Sequence, residues 1–429
     1  MSIWNDNLSA IALRWPALAG RLQSTPLLDA QWVGHPGPGT LLVEGIHLAS
    51  SYDRTREAGI QAALVPVEAE QAHVYGAGLG DLPSALLARP QLRDLHVVVL
   101  NEAVFRTVLA HVDARPWLGD PRMQLELAGP GHEVSAPFAA NPACLHLASE
   151  AAARLRDLVV LELATPYINE RFRVQSAGWL GQMRQNRPRL ERDGDVAMLF
   201  GARSGQRLMV LAPGPSLAEH YEGLRTHRDQ VYLIAVNTAL MPLLAAGIVP
   251  DVVVVIDGFE EGILRHFSGG LDACAHTALV YSPVVAPAVL ERWPGPRYAA
   301  YLQHPLYDEL RHALPRGELF TSGSVLHSAV DLAVRMGAAE VALLGVDLCF
   351  PAAAEYVGGV RTLPQGTAPA EARTWVLDGH GQRVPTRPNY RGFLRDLEQY
   401  IARHPEVCFI NGSRTGARIA GAVYADELQ

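Results

Sequence analysis

The sequence predicts an α/β protein built on a doubly wound parallel sheet. Three observations carry this. Apolar runs such as "VYLIAV", "VVVVI" and "VALLGV" lack polar alternation, as strands buried on both faces do. Helical patterns alternate with these runs. Small polar residues follow several of them, where the carboxyl ends of such strands bind ligands.

Composition narrows the classes. At 429 residues the chain exceeds one ordinary domain. A net charge of −8 argues against a general nucleic-acid partner, which would need a basic face. No apolar stretch approaches the ~20 residues of a membrane span, and "MSIWNDNLSA" has no leader-like apolar region. A soluble, cytoplasmic protein with no membrane span is expected. Cys144, Cys274, Cys349 and Cys408 are scattered without metal-ligand spacing. They read as buried thiols, and no metal site is expected.

Taken in order, Leu8, Ile11, Leu13, Trp15, Leu18 and Leu22 recur at helical spacing and predict one helix to about Ser24. A short strand, Leu41 to Val43, follows among turn residues. Then come a strand at "AALVPVE", the loop "VYGAGLGDLP" and a strand–helix pair at "LHVVVLNEAVFRTVLAHV". These make a smaller, Rossmann-like N-terminal domain, residues 1–147. Residues 148–200 read as a helical connector broken at Pro166, with "DGD" at 193–195 a solvated turn. In the third domain, 201–429, strands are expected at 207–212, 231–236, 252–256, 277–281, 297–301, 340–345 and 407–411. Helices are expected at 216–228, 238–246, 324–336 and 391–403. The Gly-, Pro- and Thr-rich stretch at about 351–390 predicts a long loop or lid.

The chemistry-bearing residues stand at successive strand ends. They are Gly214, Pro215, Ser216 and Leu217, then Asn237 and Thr238, then Asp257, then Thr321, Ser322, Gly323 and Ser324, then Asp347. Ser216 is either a helix cap or an anion ligand at a helix N-terminus. Asn237 either caps a helix or reads a base or ribose edge. Asp257 is either a turn residue or a ligand contact. His380, in "DGHG", is either a turn residue or a general base, and His304 is a second candidate base. Gly76, Gly78 and Gly80, with Glu102 after the next strand, imitate a dinucleotide fingerprint or form a scaffold loop. No DxD pair stands in the sheet region.

"LMVLAPGPSL", "IAVNTAL" and "LLAAGIVPDVVVVID" resemble the core of the motility-associated factor (Maf) flagellin glycosyltransferases. That core is shared with 6-hydroxymethylpterin pyrophosphokinase-like proteins and is similar to bacterial sialyltransferases that use CMP-sialic acid. "GSVLHSAVDLAVRMGAAEVALLGVDLCF", the tail from "LDGHG" onward and "HVYGAGLGDLPSALL" extend the resemblance. It implies a CMP pocket formed by Gly214, Pro215, Ser216, Asn237, Ser322 and Gly323, with Tyr356 against the leaving phosphate. The chain departs from the pattern in three places, one of them the absence from "CFPAAAEYVGG" of the histidine that commonly follows in the family. Gly345-Val346-Asp347-Leu348 replaces Gly-Gln-Asp-Leu, and no histidine falls near Pro385-Thr386-Arg387, where the sialyltransferases carry theirs.

The resulting expectation is a glycosyltransferase of bacterial motility. It moves a nonulosonic acid of pseudaminic or legionaminic type from a CMP-sugar donor to Ser or Thr of flagellin, with no tightly bound cofactor. Asp347, Tyr356 and His380 are the expected catalytic residues, and Arg387 and Arg414 the expected partners of the sugar carboxylate. The alternatives are an ATP- and magnesium-dependent pterin pyrophosphokinase and a non-catalytic flagellin-binding chaperone.

Overall fold

The computed structural model describes residues 2–34, 39–129, 131–351, 357 and 374–425, apart from the side chains of 167–169, 171–177, 260 and 261. The chain forms two compact units, Met1–Thr165 and Pro166–Gln429. A 38-residue helix, Ala153–Leu190, contains the boundary. It runs through Pro166 rather than breaking there. The helix formers on both sides outweigh the ~3 kcal/mol that an interior proline costs. No helix among the described residues is long and apolar enough to cross a membrane.

The strands in chain order are β1 (Ala30–Val33), β2 (Thr40–Val43), β3 (Ile46–His47), β4 (Gln71–Tyr75), β5 (Asp94–Val99), β6 (Met123–Leu127), β7 (Phe138–Ala140), β8 (Gly194–Asp195), β9 (Arg207–Leu211), β10 (Tyr232–Val236), β11 (Val252–Val255), β12 (Ala278–Tyr281), β13 (Arg297–Ala299), β14 (Tyr301–Leu302), β15 (Glu318–Leu319), β16 (Glu340–Leu344), β17 (Trp375–Leu377), β18 (Arg383–Pro385), β19 (Cys408–Asn411) and β20 (Val423–Tyr424).

In the first unit β6, β5, β4 and β7 form a parallel sheet in that order. The expected opening helix is two helices, Ile3–Arg14 and Pro16–Ser24, because Pro16 has no N–H to continue the first. "AALVPVE" is not a strand. Ala62 ends the helix Arg54–Ala62, which Asp53 caps through its bond from the Arg56 N–H, and the strand begins at Gln71.

The glycine-rich loop after β4 is filled from within. Gly76, Gly78 and Gly80 all have positive φ. A Cβ at these positions would lie 2.2 Å from the Cys144 Cβ, 2.7 Å from the Asn141 amide and 2.3 Å from the Trp117 indole nitrogen. Two pockets of about 10 Å³ border this loop, each with room for no more than one water. Glu102 accepts from Arg21 and from the Thr25 hydroxyl. The scaffold alternative therefore accounts for this loop.

The second unit holds a nine-stranded sheet in the order β20-β19-β16-β9-β10-β11-β12-β13-β8. Every neighbouring pair is parallel. Val252 to Val255 are all fully buried, as are Leu233 to Ala235. Each of the valine, leucine and isoleucine side chains among them contributes roughly 1.5–3 kcal/mol. This is the doubly wound α/β sheet that the apolar runs predict. The "DGD" segment enters it as edge strand β8. Asp193 accepts from both ends of the Arg297 guanidinium and from the Tyr281 hydroxyl, so it is an anchor rather than a solvated turn.

From β9 the chain steps outward through β10, β11, β12 and β13, then returns to β16 on the other side of β9. This reversal opens a crevice beyond the carboxyl ends of β9 and β16, where open α/β sheets bind ligands. Of the expected lid, residues 352–356 and 358–373 lie outside the described residues. The remainder includes the antiparallel β17–β18 hairpin.

Candidate functional site

The corner after β9 is built around one carboxylate. Gly214 donates its N–H to the Gly345 carbonyl at 2.9 Å, tying the β9 and β16 loops together. A Cβ on Gly214 would lie 2.4 Å from that carbonyl and 2.5 Å from Asp347 Oδ2. Only glycine leaves room there. Ser216 then donates twice to Asp347, from its N–H to Oδ2 at 2.9 Å and from its hydroxyl to Oδ1 at 2.5 Å. Ser216 is 2% exposed and Asp347 3% exposed. The donors that could have cradled a phosphate are thus occupied by the chain's own acid. Burial raises the Asp347 pKa, the bonds from Ser216 oppose that rise, and nearby Glu219 adds to it.

Beside this corner lies a cavity of about 620 Å³. Its wall includes Gly214, Asn237, Thr238, Asp257, Thr321, Gly323, Ser324 and Asp347. Parallel strands and short loops bring these distant positions to one rim. The helices Asn237–Ala245 and Val325–Arg335 begin on the wall. Their first-turn N–H groups lack intrahelical partners and give each end partial positive charge.

The other nominated residues lie off the wall. Pro215, Ser216 and Leu217 sit behind the corner, Leu217 fully buried. Ser322 gives its hydroxyl to Asp396 at 2.6 Å and its N–H to His327 Nδ1 at 3.2 Å. His327 in turn donates from Nε2 to the Phe393 carbonyl, which fixes its tautomer. Ser322 is therefore a brace for the Thr321–Ser324 turn. His380 is exposed at the tip of the β17–β18 hairpin, where its N–H donates to Asp378. The Arg414 guanidinium stacks 4.0 Å from the Tyr424 ring. Arg387 stacks 4.2 Å from the Tyr390 ring and donates to its hydroxyl at 2.6 Å. Tyr390 is on the wall, so Arg387 stands one side chain behind it. Tyr356 lies outside the described residues. Thr386, where the resemblance lacks its histidine, donates to the Leu348 carbonyl at 2.7 Å. It thereby holds a non-glycine residue at φ +50, a strained conformation on the cavity wall.

Sequence reasoning missed the aromatic end. Trp179 projects from the long helix and packs edge-to-face on Phe259, ring centroids 6.2 Å apart. A Cβ on Gly258 would lie 2.6 Å from that indole. Gln182 donates to the Gly258 carbonyl, and Asn186 to those of Pro283 and Val285, which locks this part of the helix to the loops after β11 and β12. Phe259, next to the Asp257-Gly258 turn, was the available signal. Tyr307 and Phe393 complete the aromatic lining.

Asp257 is exposed and lines the cavity. Desolvation by the cavity wall raises its pKa, opposed by the N–H groups of Phe259 and Gly258. The Phe259 N–H donates to Oδ1 at 3.0 Å. His304 accepts the Leu306 N–H at Nδ1. Burial and Arg265 push His266 down to about 4, so it is neutral at pH 7. The chain has no lysine, so all 36 basic side chains are arginines. Among the described residues no three His, Cys, Asp or Glu side chains group closely enough to hold a metal ion.

No curated protein matches the chain. A solved structure of the MAf glycosyltransferase from Magnetospirillum magneticum AMB-1 aligns over 100% of this chain and 75% of its own, with 16% identity and a TM-score of 0.47. Residues 182–353, which include β9 to β16 and most of the cavity wall, are similar to the MptE-like family, described as 6-hydroxymethylpterin diphosphokinase MptE-like.

Proposed function

We propose that the second unit is a glycosyltransferase that takes a nonulosonic acid from a CMP donor and places it on a serine or threonine of flagellin. One observation carries the reading: Gly214, Asn237, Thr238, Asp257, Thr321, Gly323, Ser324 and Asp347 line a single cavity at the sheet's switch point. Its 620 Å³ suits a nucleotide-sized ligand. CMP is a good leaving group, so the protein needs to bind it, offset its charge and position a hydroxyl. The two helix N-termini on the wall offset phosphate charge. Asn237 offers an amide to the nucleoside. Arg265, on the wall, takes the sugar carboxylate in place of Arg414. The resemblance of the motifs to the Maf glycosyltransferases supports the donor and acceptor named here. The test is the intact mass of flagellin from cells with and without this protein. Loss of a nonulosonate-sized increment is expected, and an unchanged mass refutes the reading.

The similarity of residues 182–353 to MptE-like proteins favours a second reading, a pterin diphosphokinase using ATP and magnesium. The described residues offer magnesium a thin donor set, because both Asp347 oxygens accept from Ser216. Pyrophosphate transfer from ATP to 6-hydroxymethylpterin, measured with magnesium, would establish this reading and displace the first.

A further inference from the structure

We infer that Asp257 is the proton acceptor for the incoming hydroxyl, the role left open by the histidine that the resemblance leads one to expect. This rests on the glycosyltransferase reading above.

Position comes first. Asp257 stands two residues beyond β11, which is separated from β9 by one strand. At about 4.8 Å per strand, that places it roughly 10 Å along the rim from the Gly214 corner. A nucleoside monophosphate spans about that length. A nucleotide lying along the rim beside the Asn237 helix would bring its phosphate-linked sugar within reach of Asp257. The aromatic end, with Trp179 and Phe259, lies on the same side as Asp257, because Phe259 follows it in the chain. The rim therefore has a nucleotide end and an acceptor end, with Asp257 between them.

The chemistry of the wall also selects Asp257. Asp347 has both oxygens engaged by Ser216. His304 uses Nδ1 to accept the Leu306 N–H, so its other nitrogen carries the proton and cannot take one. His266 accepts from Arg265 at Nε2, and burial together with that neighbour makes it a feeble base. Tyr307 shares a hydrogen bond with Ser282, and the Tyr390 hydroxyl accepts from Arg387. Burial raises the Cys349 thiol far above its usual range. Asp257 differs. Its Oδ1 is oriented by the Phe259 N–H, the Gly258 N–H also serves its carboxylate, and the residue lines the cavity. Desolvation at the wall makes it a stronger base than an ordinary aspartate, and an anionic donor beside it would strengthen it further.

The acceptor oxygen forms a bond to the anomeric carbon as that carbon's bond to the phosphate oxygen breaks. The phosphate leaves with the electron pair as CMP. The hydroxyl proton passes to the Asp257 carboxylate and then to solvent.

The test uses the full chain, CMP-pseudaminic acid and flagellin monomer. Asp257→Asn keeps the acceptor for the Phe259 N–H but cannot take a proton. Transfer is expected to fall by about 10²–10⁴-fold, with CMP affinity by calorimetry within about threefold of the parent. In Asp257→Ala, added formate is expected to restore part of the lost rate. Transfer within tenfold of the parent in Asp257→Asn overturns the assignment. So does a loss confined to CMP affinity, which would make Asp257 a nucleotide ligand. A parent protein that neither binds CMP nor transfers the sugar overturns the underlying reading, before any variant is made.

Discussion

Ser216→Ala separates a brace from a ligand. In the structure the serine hydroxyl donates to Asp347 Oδ1 at 2.5 Å while the N–H serves Oδ2. The substitution keeps the second bond and removes the first. A hydrogen bond to a charged group contributes about 1.5–3 kcal/mol, and the acid left behind is buried. A loss of about 2 kcal/mol is expected for the second unit, about 4–8 °C in Tm for a unit of this size. The pH dependence follows from the Asp347 pKa, which burial raises above 3.8 and the Ser216 bonds hold down. Without the hydroxyl the folded pKa rises further, so ionisation costs the folded state more. The deficit is therefore largest at neutral pH and shrinks as pH falls towards 3.8. Calorimetric CMP affinity should change by less than threefold. An unchanged Tm with a tenfold loss of CMP affinity would mean that the hydroxyl faces a ligand, and the account of the corner would be wrong.

Three other perturbations have defined outcomes. Asp257→Asn should raise Tm at pH 7, because the folded pKa of Asp257 lies above its ordinary 3.8; the gain should close as pH falls towards that value. Gly80→Ala should destabilise the first unit by about 1–3 kcal/mol in denaturant unfolding, since its Cβ would meet the Trp117 ring at φ +96, while CMP affinity stays the same. Trp179→Ala should cost the second unit about 2 kcal/mol, less than a fully buried tryptophan because Trp179 is partly exposed, and should raise the KM for flagellin more than that for the donor.

What the sequence reveals of this fold follows from range. The strands β9, β10, β11, β12, β16 and β19 are legible because each is a local apolar run that needs burial on both faces. The edges β8 and β20 have two residues each and carry no such pattern. The Ala153–Leu190 helix shows that a proline weakens a helix without necessarily ending it. "AALVPVE" looks like a strand only until the helix capped by Asp53 claims its first residue.

The site divides the same way. Asn237, Asp257, Ser324 and Asp347 are found by asking what stands beyond each strand. The role of Ser216 is hidden because its partner is 131 residues away. The loop of Gly76, Gly78 and Gly80 shows a need for space without showing what fills it, and here Cys144, Asn141 and Trp117 do. Trp179 is illegible because a lone tryptophan on a polar helix gives no hint of the loop beneath it.

Calorimetric titration of the full chain with CMP, and separately with ATP and magnesium, tests the central claim most directly. The account predicts one CMP bound per chain, with no comparable binding of ATP and magnesium. Binding of ATP and magnesium with no heat from CMP would contradict it.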